Sequence, residues 1–420
     1  MRNGLLSQYF QAVVAKTLSA VEANSAKSHQ HEFNGTRELK RVIRTTETAQ
    51  FVCRFIWLDN EEEPIIANTQ VSWYDARKNQ PNRSAEYRLY FQDNAVMQRA
   101  SEGDVMFLAR STDDTLLIIV SPATSTVTRQ LYWLFNLTPP QGNLFSLVEI
   151  DALQDRAIDW SARFILEEIG IEIAEPESEL LNRLIAPYSG VFPSTAEFSK
   201  LARETLTSTV NIHEDPDHAL VEYMNWEEKL FRRLERNNII IRLQQGFIRD
   251  GEADVENFIS YSLSVHNRRK ARAGSAFEEH VKYLFTELGI HFSKGKTTEN
   301  KSKPDFLFPH ISLYADTSFP AEYLTMLGVK TSLKDRWRQV LAESARISLK
   351  HLLTLEPGIS EHQTTEMRHK GLQLVVPAEI HRTFSVNQQH WLMTFKDFSS
   401  ILLEKQQSTS LVGYTIPTAG

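Results

Sequence analysis

The sequence predicts a two-domain protein of mixed α+β and α/β class, with a β-rich amino-terminal domain and a three-layer α/β carboxyl-terminal domain. Three observations support this fold class: a length of 420 residues, short β-rich runs between residues 50 and 127, and helices alternating with short apolar runs in the second half. Because one domain usually takes about 100–200 residues, the length suits two or three domains with a core each. We place the boundary near residue 175, which gives domains of residues 1–175 and 176–420.

The amino-terminal domain is expected to begin with a helix and to continue as strands. Residues 1–28 carry apolar positions near the spacing of 3.6 that is typical of an amphipathic helix. Strands follow because β-branched and aromatic residues are concentrated in short runs that turn clusters separate. The predicted strands are Phe51–Trp57, Thr69–Tyr74, Tyr87–Phe91, Val105–Ala109 and Leu116–Val120. Several strands at regular intervals predict a small sandwich or barrel.

In the carboxyl-terminal domain, helical periodicity returns from about Leu153 and then alternates with short apolar strands. Such alternation is typical of a sheet covered by helices, which is a three-layer arrangement. The predicted helices are Ser275–Leu288, Lys334–Leu349 and Ser360–His369, and the predicted strands are Asp305–Phe308, Met326–Thr331, Leu352–Leu355 and Leu372–Val376.

The composition excludes several classes of protein. With 41% apolar and 24% charged residues, 16 glycines and 15 prolines, the chain is neither collagen-like nor of low complexity. The single cysteine, Cys53, excludes an internal disulfide and a multi-thiolate zinc site. No apolar run approaches the roughly 20 residues of a membrane span, and Gln8 and Lys16 interrupt the position of a signal-peptide core. We therefore expect a cytoplasmic protein without a membrane partner.

The charge is unevenly distributed along the chain. The 46 basic and 53 acidic residues give a net charge of -7, which argues against a histone-like coating of nucleic acid. Between His266 and Lys350, however, 15 basic residues stand against 9 acidic ones, a local net charge of +6. A basic segment can attract a polyanion even in an acidic protein. The alternative is a solvated basic helix face, and charge alone favours it.

Asp305 and Lys330 form the core of a candidate catalytic group. Asp305 opens one predicted strand and Lys330 lies 25 residues later, near the end of the next strand. Oxygen ligands hold Mg²⁺, which offsets charge on a scissile phosphate, and a nearby lysine can orient the attacking water. Glu278 on the preceding helix and Glu343 on the following one are placed to complete the group. On spacing alone, a turn-initiating Asp305 and a surface Lys330 remain the favoured alternative.

The turn after Lys330 is rich in side chains that can contact DNA bases. Lysine and arginine donate to guanine O6 and N7 in the major groove, and an aspartate can accept from cytosine N4. The candidate DNA-recognition residues are Lys334, Asp335, Arg336 and Arg338. The alternative is a solvated first helical turn in which Trp337 is the core anchor.

Several motifs, in one order, resemble the catalytic domain of EcoRII-type type II restriction endonucleases of the PD-(D/E)XK superfamily. The resemblance runs from about Asp215 to Pro377, whereas weaker matches in the first half resemble the amino-terminal pseudobarrel of that family. The carboxyl-terminal motifs are residues 267–274, 303–309, 329–331, 334–339 and 374–377, and the amino-terminal ones are residues 36–39, 73–77 and 83–90.

The resemblance implies a restriction-endonuclease-like catalytic domain in a homodimeric, Mg²⁺-dependent enzyme that cuts double-stranded DNA at a short G·C-flanked site. In the family, a glutamate from the next helix replaces the acidic residue usually found two positions before the lysine, where this chain has Gly328. By the resemblance, Asp305, Glu278 and Glu343 are the metal ligands and Lys330 positions the nucleophilic water.

The resemblance also gives the amino-terminal domain a role. It would bind a second, effector copy of the DNA site through Arg83, Glu86 and Arg88, and without effector it would block the catalytic cleft. A host with such an enzyme needs a cognate DNA methyltransferase as protection. The spacing of Arg83 and Glu86 is one residue longer than the family pattern, so the effector sequence is open.

Two departures leave alternatives open. Tyr223–Trp226 stands where the family has a basic run associated with an extruded base, so the central base pair and base flipping are undecided. Gly328 in place of an acidic residue keeps open a non-cleaving DNA-binding regulator with a vestigial nuclease core. A repair nickase with the same core is a third reading. The pair His29 and His31 lacks a third ligand nearby in sequence and is interpreted as solvated.

Overall fold

The computed structural model describes residues 5–23, 31–60, 62–80, 82–139, 145–150, 158–173, 178–249, 251–299, 302–334, 336–411 and 413–417. By its internal contacts the chain forms two compact units. Unit 1 comprises Met1–Ile173 and Pro357–Gln363, and unit 2 comprises Ala174–Glu356 and Thr364–Gly420. Within the described residues, no helix combines the length and the apolar character that a membrane crossing requires.

Unit 1 is built on a curled sheet of eight strands. Along the sheet the order is β2-β5-β4-β3-β7-β6-β1-β8, and all neighbours are antiparallel except β3 and β7. The strands are β1 Phe10–Thr17, β2 Glu32–Asn34, β3 Ala49–Trp57, β4 Ile65–Asp75, β5 Tyr87–Phe91, β6 Val105–Ser111, β7 Leu116–Ser121 and β8 Ser146–Glu149. The predicted β-rich amino-terminal domain is thereby confirmed.

Both faces of this sheet are covered. Along β7, Leu116, Ile118 and Val120 belong to one apolar core, while Leu117 and Ile119 belong to a second core on the opposite face. Alternate residues of a strand point to opposite faces, so each face has its own core. The covering helices are Ala20–Ala23, Arg37–Ile43, Ala95–Arg99, Thr126–Leu134 and Trp160–Glu168.

The predicted helix over residues 1–28 is wrong. A short 3-10 helix, Leu6–Gln8, is followed by the strand β1, and among the described residues 5–23 only Ala20–Ala23 is α-helical. The reason is burial, because β1 lies between β6 and β8 and is buried on both faces for most of its length. A strand buried on both faces shows no alternation of apolar and polar residues, and periodicity then fails to separate it from a buried helix.

Unit 1 also includes Pro357–Gln363, which lies far along the chain. This segment is held on the helix Thr126–Leu134 by hydrogen bonds. Gln130 Nε2 donates to the Pro357 carbonyl at 2.9 Å, and Thr126 Oγ1 accepts from the main-chain N–H of Ser360 at 2.9 Å. Ile359 is fully buried.

Unit 2 combines a helical layer with a mixed five-stranded sheet of order β11-β12-β13-β14-β15. Its strands are β11 Ser293–Lys294, β12 Phe306–Phe308, β13 Thr325–Lys330, β14 Lys350–Thr354 and β15 Leu372–Val375, and a separate hairpin pairs β9 Ile248–Arg249 with β10 Glu252–Ala253. β13, β14 and β15 are parallel, whereas β11 and β12 add antiparallel strands. The helices are Glu179–Ile185, Thr195–Thr205, Pro216–Gln245, Val255–Glu287, Ile311–Ala315, Arg336–Leu341, Val386–Gln389 and Phe395–Leu411. A further helix, Glu361–His369, begins in the segment that belongs to unit 1 and ends in unit 2.

Helices cover both faces of the five-stranded sheet. On one face, Phe285 of the helix Val255–Glu287 packs edge-on against Phe306 of β12, with ring centroids 5.5 Å apart, and stacks with Phe395. On the other face, Val340 of the helix Arg336–Leu341 packs over Gly328 of β13. This arrangement confirms the predicted three-layer α/β domain.

The predicted helix Lys334–Leu349 is shorter than expected. It spans only Arg336–Leu341, and Glu343 therefore lies two residues beyond its end instead of on a helix. The next residue, Ser344, has φ 51°, a left-handed conformation that interrupts the helical path. Glu343 is consequently presented by a turn.

Candidate active site

Asp305 and Lys330 meet at one end of the five-stranded sheet. The antiparallel register that pairs Phe306 with Leu327 places Asp305, just before β12, beside the end of β13. Asp305 Oδ2 accepts a hydrogen bond from Lys330 Nζ at 2.7 Å and another from the main-chain N–H of Val329 at 2.6 Å. The side chains are 18% and 24% exposed, respectively, so the pair is partly shielded and still open to solvent. The catalytic roles of both residues stay a prediction.

Glu278 lies on the helix Val255–Glu287 and forms an ion pair with Lys294. The distance from Lys294 Nζ to Glu278 Oε2 is 3.3 Å, and the same ammonium lies 2.8 Å from Glu279 Oε1. Burial raises the pKa of Glu278, and the negative charge of Asp305 raises it further. Glu278 is thus within the electrostatic field of Asp305. Lys294 belongs to the basic segment of the sequence, but no spacing pattern pointed to it.

Glu343 is the most perturbed carboxyl group of the site. Burial, followed by the negative charge of Asp305, raises its pKa to about 7, although Lys330 and Lys350 oppose the shift. Its Oε2 is buried without a hydrogen-bond partner among the described residues. A buried acceptor without a partner is costly, and such atoms are common where a ligand or ion is bound.

The raised pKa of Glu343 predicts a pH-dependent stability. Since the folded pKa of about 7 exceeds the ordinary value of 4.5, the free energy of unfolding should fall as pH rises from 4.5 to 7. Glu343→Gln removes this loss, so the variant should gain stability relative to the wild type across that interval. Chemical denaturation at pH 5 and pH 8 measures the difference. An equal difference at both pH values would contradict the assignment.

The carboxylates suit a magnesium ion in their chemistry, because Mg²⁺ prefers oxygen ligands. Asp305, Glu278 and Glu343 interact electrostatically, and the unpartnered Glu343 Oε2 is available as a ligand. Within the described ranges, however, no three ligating side chains lie close enough together to hold a metal ion. The carboxylates nevertheless fit such an ion by donor type, and the principal candidates are Asp305 and Glu343.

The candidate DNA-recognition residues follow β13. Lys334 and Arg336 are exposed, whereas Arg338 forms an ion pair with Glu366 at 3.1 Å. Asp335 lies outside the described residues. The fully buried Trp337 is a core anchor. Lys334 and Arg336 are therefore the described members that solvent or DNA can reach most easily.

The candidate effector-binding residues lie on and before β5 in unit 1. Arg83 is exposed, whereas Glu86 and Arg88 are half-buried members of an ion-pair cluster. The Arg88 guanidinium is 2.7 Å from Glu86 and also contacts Glu32, while Arg77 contacts Glu86. DNA phosphates that bound Arg88 would have to compete with these carboxylates.

The sequence also singled out Trp226, His29 and His31. Trp226 is 3% exposed in the helical core of unit 2, and its Nε1 donates to Thr205 Oγ1 at 3.1 Å. Of the pair His29 and His31, His29 lies outside the described residues. Trp226 is thus a core residue in this structure.

The chain was compared with known proteins. A family model described as EcoRII C terminal matches residues 231–399. The type II restriction enzyme EcoRII of Escherichia coli is 41% identical over 208 residues, which cover 49% of this chain and 50% of that protein. The type II restriction enzyme SsoII of Shigella sonnei is 26% identical over 167 residues, covering 37% and 53%. The chain spans about half the length of the curated relatives it matches.

Two solved structures are similar over 56% of this chain. A metal-depleted Ecl18kI in complex with uncleaved, modified DNA has a TM-score of 0.45 and 19% identity, with 87% of that chain covered. A complex of restriction endonuclease PspGI with substrate DNA has a TM-score of 0.41 and 14% identity, with 100% of that chain covered. The family match and the EcoRII identity agree with the motifs of the sequence: the chain is similar to EcoRII-type restriction endonucleases, and its residues 231–399 match the model of the EcoRII C-terminal family.

Proposed function

We propose that the protein is a Mg²⁺-dependent, site-specific endonuclease for double-stranded DNA that acts in a restriction-modification system. The observation that carries the proposal is the contact of Asp305 with Lys330 beside the unpartnered carboxyl oxygen of Glu343. The 41% identity to EcoRII over 208 residues supports the same conclusion. The protein would act in the cytoplasm, where a cognate methyltransferase protects the host DNA.

Each residue of the site has a separate proposed role in phosphodiester hydrolysis. Lys330 is held by a hydrogen bond to Asp305 and is partly exposed to solvent. Its ammonium can therefore orient a water molecule towards the phosphate. Asp305 and Glu343, supported by Glu278, would hold the metal ion. A bound Mg²⁺ would offset the negative charge that develops on the phosphate oxygens. Lys334, Arg336 and, with its partner released, Arg338 would donate to base edges of a short G·C-flanked site.

Digestion of a G·C-rich plasmid tests the proposed activity. We expect discrete fragments in Mg²⁺ and none after chelation. Sequencing the fragment ends gives the recognition site, the stagger and the central base together. A smear that survives the chelator would contradict site-specific, metal-dependent cleavage.

Unit 1 is proposed to bind a second copy of the DNA site through Arg83, Glu86 and Arg88 and to restrain the nuclease until it does so. Removal of residues 1–173 should therefore raise the cleavage rate on a plasmid with one isolated site. Time courses with the full chain and the shortened chain measure the effect, and an added oligonucleotide carrying the site should activate only the full chain. An unchanged or lower rate, with soluble folded protein, would contradict the restraint.

A homodimer is proposed from the exposed apolar side chains at the ends of two long helices. The helices Pro216–Gln245 and Val255–Glu287 are joined through the β9–β10 hairpin, and apolar residues around this connection remain exposed to solvent. They are Ile240, Leu243, Ile248, Val255, Phe258, Ile259 and Leu263, with exposed fractions from 44% to 71%. Clusters of exposed apolar residues commonly mark protein interfaces.

The homodimer has a direct test. Sedimentation should give twice the mass of the 48.3 kDa chain, and the double variant Leu243→Asp and Leu263→Asp should shift the protein towards the monomer. Both positions are more than half exposed, so the folded monomer should tolerate the charges. A variant that sediments like the wild type would show that the dimer, if formed, uses another surface.

A second candidate function is a DNA-binding regulator without cleavage. It is favoured by the lack of three close metal ligands among the described residues. Footprinting in Mg²⁺ separates the two functions, because a regulator would protect its site and leave both strands intact.

A further inference from the structure

A buried ammonium group lies beneath the turn that carries Glu343. Lys350 is the first residue of β14 and is only 6% exposed. Its Nζ donates hydrogen bonds to the main-chain carbonyls of Ser344, at 2.8 Å, and of Ile347. Lysine is rarely buried, because removing its charge from water is costly unless other groups compensate. Here the carbonyls of one turn supply that compensation.

The turn has a backbone conformation that its surroundings must maintain. Ser344 follows Glu343 directly and has φ 51°, which residues other than glycine seldom adopt. Such conformations persist where neighbouring contacts determine them. The Ser344 carbonyl accepts from Lys350 and also from the main-chain N–H of Ile347 at 2.9 Å. Lys350 therefore fixes the turn from its buried side.

Arg346 fixes the same turn from its outer side. Its guanidinium donates to the carbonyls of Asp316 at 2.9 Å and Phe319 at 2.7 Å. With both sides of the turn attached, the direction in which the Glu343 side chain leaves the backbone is restricted. Arg346 is attached to a surface loop, whereas Lys350 belongs to the sheet that also carries Lys330.

Lys350 also acts on Glu343 through its charge. The positive charge of Lys350 favours the ionised form of Glu343. Burial lowers the pKa of Lys350, and the charges of Glu299 and Glu343 oppose that change. The hydrogen bonds of the ammonium go to the main-chain carbonyls of the turn, and Glu343 Oε2 is left without a partner among the described residues.

We propose that Lys350 is a positioning residue that holds the Glu343 carboxylate towards Asp305 for binding of a divalent cation. This role rests on the proposed nuclease function. Lys350 touches neither the DNA nor the ion and acts only through the turn and the charge of Glu343. Residues that orient metal ligands from behind usually contribute about 10–100-fold to metal affinity.

The inference is tested by comparing two lysine variants. Lys350→Met keeps the apolar stem and removes the ammonium. Lys405→Met is the matched control, because Lys405 Nζ also binds the protein interior, donating to Thr325 Oγ1 at 3.0 Å, and does not act on Glu343. The readouts are calorimetric titration with Ca²⁺, which needs no cleavage, and the Mg²⁺ concentration at half-maximal cleavage.

Lys350→Met should weaken Ca²⁺ binding by about tenfold or more and raise the Mg²⁺ midpoint similarly, whereas Lys405→Met should stay within about twofold of the wild type. Lys350→Arg, which keeps a cation, should recover most of the affinity. If Lys350→Met does not fold at the assay temperature, Lys350→Gln takes its place with the same expectation.

The outcomes separate the two proposals. Wild-type affinity for Ca²⁺ in the folded Lys350→Met or Lys350→Gln variant would overturn the positioning role and leave the nuclease proposal standing. An equal loss of Ca²⁺ affinity in Lys405→Met would also overturn the positioning role, because removal of either buried ammonium would then weaken Ca²⁺ binding. A wild-type protein that neither binds Ca²⁺ nor cleaves DNA would overturn the proposed function and the inference with it.

Discussion

Asp305→Asn should lower the rate of DNA cleavage by a factor on the order of 10³ while leaving the fold intact. Asparagine has the shape of aspartate and can still accept the hydrogen bond from Val329, which the wild-type carboxylate accepts at 2.6 Å. It lacks the negative charge that holds Lys330 at 2.7 Å and that a metal ion requires. Single-turnover cleavage of a plasmid with mapped sites measures the loss.

The control for Asp305→Asn is Asp397→Asn, which neutralises an exposed aspartate in the first turn of the helix Phe395–Leu411. It should cleave like the wild type. Both variants should melt within a few degrees of the wild type. Cleavage by Asp305→Asn within about tenfold of the wild-type rate would remove Asp305 from the catalytic group, since loss of a principal charge interaction costs more.

Gly328→Asp should destabilise the protein by about 3 kcal/mol or more and should not restore activity to Glu343→Gln. It puts an acidic residue where the usual nuclease pattern has one. A Cβ at Gly328, however, would lie 2.9 Å from Val340 Cγ2 and 3.3 Å from Leu352 Cδ1. These branched side chains are buried and have little freedom to move aside. Urea denaturation measures the stability.

Gly328→Ala and the double variant Gly328→Asp with Val340→Ala complete this series. The alanine adds only the Cβ and should cost about 1–3 kcal/mol by overpacking. Val340→Ala opens space and should recover part of the stability of Gly328→Asp. Unfolding of Gly328→Asp at the same urea concentration as the wild type would contradict the packing argument. Recovery of cleavage when Gly328→Asp is added to the Glu343→Gln variant would contradict the role of Glu343.

The same contact explains why the acidic residue is absent from its usual place. Gly328 and Lys330 lie on the same face of β13, two residues apart. At Gly328 that face is covered by Val340, so a carboxylate there would meet apolar groups. Glu343 lies beyond the end of the helix Arg336–Leu341, and the negative charge of Asp305 raises its pKa.

The sequence predicted the parts of the fold that depend on local pattern. β5 has the predicted bounds Tyr87–Phe91, because alternating apolar residues and flanking turns mark it at both ends. β1 was missed because both of its faces are buried. The predicted helix after Lys330 is too long because the apolar spacing continues past Leu341. The chain turns there because Ser344 has a left-handed conformation and the buried Lys350 binds its carbonyl.

The candidate site was predicted in part for the same reasons. Asp305 and Lys330 lie on consecutive strands, so their approach follows from adjacency in the sheet. Glu343 is predicted from its position after Lys330 and from the resemblance, but its presentation by a turn could not be read from helical spacing. Lys294 and Lys350 were missed because a partner far along the chain, or a main-chain carbonyl, leaves no motif in the sequence.

The hydrogen bonds that Gln130 and Thr126 make to residues 357–363 have a practical consequence for engineering. Residues 1–173 alone would lack the segment 357–363, which belongs to the same unit and is hydrogen-bonded to it. A graft of this module onto a foreign nuclease should include that peptide. A shortened chain that begins at residue 174 should be given a polar substitution at Ile359, because it would otherwise display an apolar residue that is fully buried in the intact protein.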